Sequence, residues 1–391
     1  MHLVFVTSIV PDGTATTGYE IANAAILSAL RRAGTRVTVL GYGWPGRRPA
    51  DDGQTILLGE IDVTTAHASQ LKKMQWLGQA MAAGTTVSSA KLQAAGRAAV
   101  EQALDRIGPF DGFVLNAVQM AGAYPDLFLS RPSLFVAHNV EYVSAGQNAD
   151  AATSPLQRFL FRREARYLRA LEQRFCRAAS HVLTLSGEDA GTLAGEAGHD
   201  RFTVLPLVTR AEAPPPVTGP ADHDAALIGT WTWEPNRIGL DWFLREVTPH
   251  LPDDFSVRIA GSVPGGMATA HAGTRFVGRV PDAAAFIRKA RMVPLVARAG
   301  TGVQLKTIET FEHGLPSVAT TLALRGIAEV PENCTLADDP QAFAAAMVAR
   351  AAAPAHADGA RFHAAQLAAL DSGMRRALDR LGAALAGRAA A

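Results

Sequence analysis

The chain has 391 residues, of which 48% are apolar, and it is long enough to build two domains with separate hydrophobic cores. Its 37 Lys and Arg residues almost balance its 36 Asp and Glu residues, whereas proteins that bind nucleic acid over a broad surface usually carry a clear basic excess. Composition therefore favours a globular two-domain protein and disfavours a nucleic-acid partner.

The cysteines and the opening residues bear on location. Cys176 and Cys334 lie in no CxxC or Cys/His cluster, so we expect neither a disulfide framework nor a thiolate zinc site. Residues 1–13 hold a short apolar run with no basic region before it, which is typical of a buried first strand and not of a signal peptide. No run of about eighteen uncharged apolar residues is present, so no membrane-spanning helix is expected. A cytoplasmic location is predicted.

In the first half of the chain, short β-branched or aromatic runs alternate with longer Ala- and Leu-rich stretches. The predicted strands are 2–8, 35–41, 111–115, 133–138 and 181–186. Helical patterns occupy 19–33 and 156–178. Strand and helix repeated in this order indicate a parallel sheet that is covered on both faces.

Two places in this half follow a predicted strand, where parallel sheets bind ligands. The turn 8–20 contains Gly18, and Thr17 is the expected N-cap of the next helix. The turn lacks the GxGxxG motif, which argues against a dinucleotide site. His138 ends its strand and suits a hydrogen bond to a sugar or phosphate, or a proton transfer near neutral pH. Glu141 would orient His138 or act on its own. The alternative is a buried histidine whose hydrogen bonds are satisfied within the protein.

The predicted helix 156–178 is rich in arginine, and Lys72 and Lys73 lie earlier in the chain. One interpretation is peripheral contact with an anionic membrane surface. The other is an amphipathic covering helix with a basic solvated face, to which Glu164 and Glu172 contribute.

The alternation pauses at 211–224, where four prolines and a glycine disfavour helix and central strand. We predict an N-terminal domain 1–210, a linker 211–224, a C-terminal domain 225–358, and helices at 359–391 that pack back on the first domain. The second domain has predicted strands at 225–230, 256–261, 275–280, 292–297 and 317–320, and predicted helices at 235–247, 282–290, 302–313 and 340–351. Two open parallel sheets in tandem make a ligand-binding cleft between them.

The strongest functional segment is 297–320, ARAGTGVQLKTIETFEHGLPSVAT. Gly300 and Gly302 bracket Thr301 after a strand, and small residues before a helix let backbone N–H groups approach an anion. Lys306 lies about one turn into the helix and Glu309 one turn further on the same face. The segment suits a phosphate site, although a glycine-assisted turn with a surface ion pair has the same pattern.

A second segment, 227–243, reads LIGTWTWEPNRIGLDWF. A strand ends near Thr230, a loop follows, and Pro235 is well placed in the first turn of a helix. Arg237 offers a planar, permanently charged group for a diphosphate, and Asn236 lies beside it. For the three tryptophans in the segment, packing is the favoured interpretation.

Taken together, these segments resemble glycosyltransferase family 4, a family of retaining enzymes with the GT-B fold. The stretches that carry the resemblance are GTWTWEPNRIGLDWFLREVTPHLP, then RIAGSVPGG with RFVGRVPDAAAFIRKARMVPLVARAGTG, then VQLKTIETFEHGLPSVATTLALRGI. HNVEY and LTLSGEDA are similar to landmarks of the first domain. The resemblance covers most of the chain and is specific in about 225–327. It implies an α/β GT-B fold with two Rossmann-like domains that face each other across a cleft.

The resemblance also implies roles for individual residues. Glu309 matches the second acid of a pair of glutamates and would hold the nucleotide ribose, while Lys306 and Arg237 are similar to the family's cations on the diphosphate. His138 matches a first-domain histidine near the transferred sugar. The remaining residues expected to bind the donor are Gly18, Thr230, Asn236, Arg279, Val280, Gly300, Thr301, Gly302 and Val303.

One departure from the family pattern lies at Thr301, where the first glutamate of the pair would fall. It indicates a subgroup with different sugar contacts, or reduced activity. The implied reaction is hexosyl transfer from a nucleotide diphosphate-sugar to a hydroxyl of a glycan or lipid-linked acceptor, with retention of configuration. No metal or other cofactor is expected, because the cations would stabilise the charge on the leaving diphosphate.

Two alternatives stay open on sequence alone. A non-catalytic nucleotide-sugar-binding relative, acting as a partner or regulator, is suggested by Thr301. A two-domain nicotinamide-dependent dehydrogenase would share the doubled α/β pattern, and the missing GxGxxG counts against it.

Overall fold

The computed structural model describes residues 1–14, 17–63 and 68–389. The chain forms two compact units, Met1–Leu205 with Ala369–Ala391, and Pro206–Ala368. Each unit contains one parallel sheet with helices, which confirms the predicted α/β class with two Rossmann-like domains. From the sequence, the predicted divisions are the proline-rich stretch at 211–224 and the start of the helical tail at 359. In the structure the two units divide after Leu205 and before Ala369.

The first unit has a seven-stranded sheet in the order β3-β2-β1-β4-β5-β6-β7, and all its neighbouring strands are parallel. Its strands are β1 (His2–Ile9), β2 (Arg36–Gly43), β3 (Thr55–Glu60), β4 (Gly112–Asn116), β5 (Ser133–Ala137), β6 (His181–Thr184) and β7 (Phe202–Val204). The strands β1, β4, β5 and β6 are buried along their whole length, as expected for a sheet covered on both faces.

The helices of the first unit follow the strands in chain order. They are α1 (Gly18–Arg32), α2 (Gln70–Ala82), α3 (Val87–Lys91), α4 (Arg97–Ile107), α5 (Val118–Ala121), α6 (Pro125–Phe128), α7 (Glu141–Ala151), α8 (Pro155–Ala178) and α9 (Gly187–Ala197). Thr17 caps α1, and its side chain and Glu20 form a reciprocal capping box. The predicted start of α1 is confirmed.

The second unit has a six-stranded sheet in the order β10-β9-β8-β11-β12-β13, again with parallel neighbours. Its strands are β8 (His223–Thr230), β9 (Val257–Ser262), β10 (Thr274–Gly278), β11 (Ala290–Leu295), β12 (Ser317–Ala319) and β13 (Cys334–Leu336). Its helices are α10 (Glu234–Trp242), α11 (Ala283–Ile287), α12 (Leu305–Glu312), α13 (Pro340–Ala352) and α14 (Gly359–Ala389), the last continuing into the first unit.

One predicted boundary is wrong in a way that affects the site. The sequence places a helix start at Gly302, but α12 begins at Leu305, with extended backbone at Gln304. Gly300 has φ 109°, a left-handed conformation that favours glycine. Gly302 therefore belongs to the loop before the helix, and the first-turn N–H groups of α12 lie three residues later than expected.

The order of strands fixes where ligands can bind. Each sheet grows outward in both directions from one pair of strands, β1 and β4 in the first unit and β8 and β11 in the second. At such a switch point the connections on either side lead to opposite faces of the sheet, leaving a crevice outside the carboxyl ends of the strands. Both candidate sites lie at these two places.

Candidate functional site

In the second unit, the switch point carries a cavity of about 50 Å³. Its apolar lining comes mainly from the ends of β8 and β11, including Leu227, Leu295 and Ala297. Its polar lining consists of Asn236, Gln304, Lys306, Thr307, Glu309 and Thr310. The structure thus brings together three of the predicted site residues, Asn236, Lys306 and Glu309, although they are up to 73 positions apart in the chain.

Lys306 is the central cation of this cavity. Its Nζ lies 4.9 Å from the centroid of the Trp231 ring, and a Cβ placed on Gly229 would lie 2.8 Å from the same nitrogen. Burial lowers the pKa of Lys306 to about 8, and the neighbouring Glu309 carboxylate opposes this shift only in part. Within 1–14, 17–63 and 68–389, no carboxylate lies at ion-pair distance from Lys306. An anion at this position would therefore meet an uncompensated positive charge.

The Trp231 ring packs against the ammonium group of Lys306. Its indole N–H donates to the Ala260 carbonyl at 2.8 Å, and the side chain is 3% exposed. The buried indole gives the ammonium group an electron-rich face. Packing, the interpretation favoured from sequence, describes Trp242 as well, since its ring meets Phe343 edge-on. For Trp233 that interpretation is wrong, because the side chain is 57% exposed.

Glu309 is held by an arginine that sequence reasoning missed. Arg210 Nη2 donates to Glu309 Oε1 at 3.1 Å, and Arg210 Nε lies 3.9 Å from Glu312 Oε2. Burial raises the pKa of Glu309, and the Arg210 charge and hydrogen bond counteract that rise. Arg210 immediately precedes the proline-rich stretch, and no local pattern signals its partner 99 residues away.

Glu312, one turn further along α12 on the same face, also holds the segment that contains Arg210. It accepts hydrogen bonds from the Thr209 backbone N–H at 2.9 Å and from the Thr209 hydroxyl. Its side chain is fully buried. Because α12 carries both glutamates one turn apart, the segment at 209–210 is fixed along that face of the helix.

Arg237 is not in the cavity lining. Its guanidinium pairs with Glu234 at 2.5 Å and with Asp241 at 3.0 Å, both on its own helix α10. The sequence interpretation assigned Arg237 to a diphosphate, and that role stays a prediction. Binding an anion there would require the guanidinium to exchange at least one of these carboxylate partners.

The other predicted donor residues surround the same strand ends. Asn236 Nδ2 donates to the Thr230 carbonyl at 3.1 Å, closing the loop between β8 and α10. Arg279 Nε donates to Ser262 Oγ at 3.0 Å, which ties the segment after β10, with Val280, to the end of β9. Thr301 is buried between Gly300 and Gly302, and Val303 is half-buried in the same loop.

In the first unit, a hydrogen-bonded polar cluster lies at the β1–β4 switch point. Asn116 ends β4, and its Oδ1 lies 2.8 Å from His138 Nε2. Asn116 Nδ2 donates to Thr7 Oγ1 at 3.4 Å and to Asn23 Oδ1. Thr7 Oγ1 in turn lies 2.8 Å from the Tyr19 hydroxyl. Polar residues that end otherwise apolar strands, such as Asn116 in GFVLN, are the sequence signal that points to this cluster.

These contacts determine the state of His138. Because the Asn116 amide N–H₂ group is used by Thr7 and Asn23, its oxygen faces the imidazole and accepts from Nε2–H. The Tyr19 ring lies against the imidazole with centroids 5.1 Å apart. Burial lowers the pKa of His138 to about 4. His138 is thus neutral at physiological pH, with Nδ1 left as the acceptor.

Glu141 does not orient His138, contrary to one expectation. Its carboxylate accepts from Gln119 Nε2 at 2.7 Å. Its backbone N–H donates to Glu172 Oε1 at 2.9 Å, so Glu172 from α8 caps the start of α7. Gly18, the remaining predicted site residue, is exposed at the start of α1.

Residues 223–352 match the family model described as Glycosyl transferases group 1. This segment contains the cavity, Lys306 and Glu309. The chain is a glycosyltransferase. None of the curated proteins matches it in sequence at a significant level.

Solved structures extend the likeness of this glycosyltransferase to nearly the whole chain. WaaG, a glycosyltransferase involved in lipopolysaccharide biosynthesis, is 15% identical with a TM-score of 0.57, over 96% of this chain and 95% of that chain. Sucrose-phosphate synthase from Thermosynechococcus elongatus is 15% identical with a TM-score of 0.63, over 98% and 94%. Anabaena HepE, solved with UDP, is 12% identical with a TM-score of 0.57, over 98% and 100%. At these identities the comparison shows the fold, which is GT-B.

No helix among the described residues combines the length and apolar character that crossing a membrane requires. No group of three or more His, Cys, Asp or Glu side chains among them is placed to hold a metal ion.

Proposed function

We propose that this glycosyltransferase moves a hexose from a nucleotide diphosphate-sugar to a hydroxyl group, with retention of configuration, as a member of the family 4 subgroup lacking the first glutamate. The observation that carries the proposal is Lys306, a partly buried cation at the strand ends of the second sheet that has no carboxylate at ion-pair distance among the described residues. Anabaena HepE has been solved with UDP and with UDP-glucose, which supports a donor of this class.

The diphosphate of the donor is assigned to Lys306. As the bond between sugar and phosphate breaks, negative charge grows on the leaving diphosphate, and a fixed cation in a site of low dielectric stabilises that charge. Trp231 holds the ammonium group from one side, so little reorganisation is needed when the anion arrives. The N–H groups of the first turn of α12 reinforce the effect.

The ribose of the donor is assigned to Glu309. An ionised carboxylate offers only acceptors to the two ribose hydroxyls, whereas burial alone favours the protonated form. The charge of Arg210 and its hydrogen bond favour the ionised form of Glu309 and fix one of its oxygens. The other oxygen is left for the nucleotide. Arg210 acts here as a positioning residue.

Retention is explained without a covalent intermediate. The acceptor hydroxyl attacks the anomeric carbon on the same face as the departing diphosphate, and a diphosphate oxygen takes the hydroxyl proton. His138, neutral and held in one tautomer by Asn116, is assigned a hydrogen bond to substrate and not a proton transfer. Arg237, Arg279 and the loop 300–303 are assigned to the donor. No metal ion is invoked.

The acceptor is proposed to be a glycan or a lipid-linked glycan, in polysaccharide or glycolipid synthesis. WaaG acts in lipopolysaccharide biosynthesis, and a cytoplasmic enzyme in peripheral contact with the inner membrane surface would meet such an acceptor. The second candidate function is a non-catalytic nucleotide-sugar-binding relative, favoured by Thr301 at the position of the missing acid.

Two measurements test the proposal and separate it from the alternative. A thermal-shift screen of the purified chain against nucleoside diphosphates and their sugars identifies the donor, since a ligand that binds only the folded state raises the melting temperature. Release of free nucleotide with lysate acceptors then measures transfer. Binding without turnover would favour the non-catalytic relative.

Site variants complete the test. Lys306→Ala and Glu309→Ala should each lose nucleotide-sugar turnover while remaining folded, because they remove the diphosphate and ribose contacts. Lys289→Ala is the matched control, since Lys289 is exposed in the same unit and pairs with Asp222 at 3.0 Å. Wild-type turnover in both site variants would refute the assignment.

A further inference from the structure

The first unit exposes large apolar side chains on two helices. On α2, Leu71, Met74 and Met81 are 68%, 69% and 56% exposed, and their spacing places them along one stripe of the helix. On α8, Leu156 and Phe159 are 66% and 60% exposed. Most of the large apolar side chains elsewhere in the unit are buried, so this exposure is concentrated.

Cations that have no carboxylate partner among the described residues lie among these apolar side chains. Arg158, Arg162 and Arg166 project from the first half of α8, and Lys72 and Lys73 lie on α2. In the described ranges, none of the five forms an ion pair with a carboxylate. Arg158 donates only to a backbone carbonyl, at 3.0 Å. Phe159, Arg162 and Arg166 are spaced at i, i+3 and i+7 on α8, which places the three on a single helical face.

The contrast with other exposed arginines of the same unit is clear. Arg97 pairs with Glu101 at 2.8 Å, and Arg174 pairs with Asp126 at 2.5 Å. The one acid in the first half of α8, Glu164, is turned inward and accepts from the Val87 backbone N–H at 2.9 Å. The positive charge of this region is therefore uncompensated, although the whole chain has a formal net charge of only +1.

The two helices lie against each other. Arg163 of α8 donates to the Ala80 carbonyl of α2 at 2.8 Å. Tyr167 of α8 lies within 4.0 Å of the position that a Cβ on Gly84 would occupy, just after α2. We call the exposed sides of α2 and of the first half of α8 the α2–α8 surface.

We infer that the α2–α8 surface docks the chain onto an anionic lipid bilayer. Apolar side chains that protrude singly and are separated by cations suit the boundary between headgroups and acyl chains. There the apolar side chains enter the membrane and the cations meet lipid phosphates. A protein interface of comparable strength would instead present a contiguous apolar centre with a polar rim. The inference locates the peripheral contact named in the proposed function, and it would bring a lipid-linked acceptor to the enzyme.

Flotation with lipid vesicles tests the inference on the full chain. We expect binding to vesicles of equal parts phosphatidylcholine and phosphatidylglycerol, weak binding to phosphatidylcholine alone, and loss of binding at high salt. The triple variant R158Q/R162Q/R166Q should bind roughly a hundredfold more weakly, since each cation near an anionic surface contributes a factor of about five. M74S/F159S should bind at least tenfold more weakly by losing two inserted side chains.

Matched controls separate this surface from general charge and hydrophobicity. R375Q/R376Q/R380Q removes three exposed arginines of α14, and L336S removes an exposed apolar side chain, 56% accessible, from β13; both should bind vesicles as the wild type does. Turnover with a soluble acceptor should be unchanged in all four variants, so failure of the transfer reaction is distinguishable from failure of docking. Absence of wild-type binding to anionic vesicles, equal binding by R158Q/R162Q/R166Q, or a dimer in sedimentation that M74S/F159S dissociates would overturn the inference.

Discussion

Replacing Lys306 by methionine should make the protein more stable and abolish its function. Methionine keeps the length and apolar contacts of the lysine stem but carries no charge. In the folded protein the ammonium group is partly removed from water, and its pKa is lowered from 10.5 to about 8. Since the unfolded chain binds this proton more tightly than the folded chain, the charged lysine destabilises the fold at neutral pH.

The size of the gain follows from the pKa shift. At about 1.4 kcal/mol per pKa unit, the shift corresponds to at most about 3 kcal/mol. Solvent reaches part of the side chain, and the contact with Trp231 contributes about 0.5–1 kcal/mol that the variant loses. We therefore expect Lys306→Met to gain about 1–2 kcal/mol at pH 7, a rise of a few degrees in melting temperature. The gain should vanish as pH rises from 8 towards 10.5, because the wild-type lysine then loses its proton in the fold.

Binding should change in the opposite direction. A hydrogen bond between charged groups contributes roughly 1.5–3 kcal/mol, so the variant should bind the nucleoside diphosphate about 10–100-fold more weakly. Wild-type affinity should be complete below pH 8 and fall above it, whereas the residual affinity of Lys306→Met should lack this dependence. Calorimetry and thermal melts across pH measure both effects, with Lys289→Met as the control. Wild-type affinity in Lys306→Met would refute the cation site, and a lower melting temperature would refute the argument from burial.

Three further predictions concern neighbouring groups. Gly229→Ala places a Cβ 2.8 Å from Lys306 Nζ, so it should displace the ammonium group and weaken diphosphate binding about tenfold in calorimetry; unchanged affinity would contradict the geometry. Asn116→Asp puts a carboxylate beside His138 and raises the pKa of the imidazole. Turnover should then decline towards acid pH as His138 becomes protonated, and Asn116→Leu should lack this decline. Parallel pH profiles of the two variants would argue against the histidine's role. Arg210→Met leaves the half-buried carboxylate of Glu309 without its partner, which should cost about 1–3 kcal/mol in chemical unfolding. The cost should be larger at pH 8 than at pH 5, because the variant raises the pKa of Glu309 in the folded state and so disfavours the ionised form there.

The sequence was sufficient for the architecture because buried parallel strands such as β1 and β4 are continuous apolar runs. It was insufficient for the short edge strands β7 and β13, whose three residues each give no periodic signal. The start of α12 was also missed. Gly302 and Val303 lie in a loop that the local sequence pattern does not distinguish from a first helical turn. The extended backbone of Gln304 separates this loop from the helix.

The candidate site was predicted where its residues are close in sequence. Lys306 and Glu309 share a helix face, and their spacing alone indicates a joint role. Arg210 and Asn116 were missed because their partners lie 99 and 22 residues away, and a single sequence shows no such pairing. For Arg237 the possible partners are close in the sequence, since Glu234 and Asp241 lie within one turn of it. The sequence does not show whether the guanidinium pairs with these carboxylates or with a bound anion.

The position of Trp231 gives the enzyme a spectroscopic reporter of its own chemistry. The indole is shielded from solvent and faces a single ammonium group, so its emission responds to the electric field of that charge. When a diphosphate binds beside the ammonium group, the electric field at the indole changes, so fluorescence intensity and wavelength should change in step with occupancy. With the more exposed Trp233 replaced by phenylalanine to reduce background, donor binding becomes measurable in stopped flow without a labelled nucleotide.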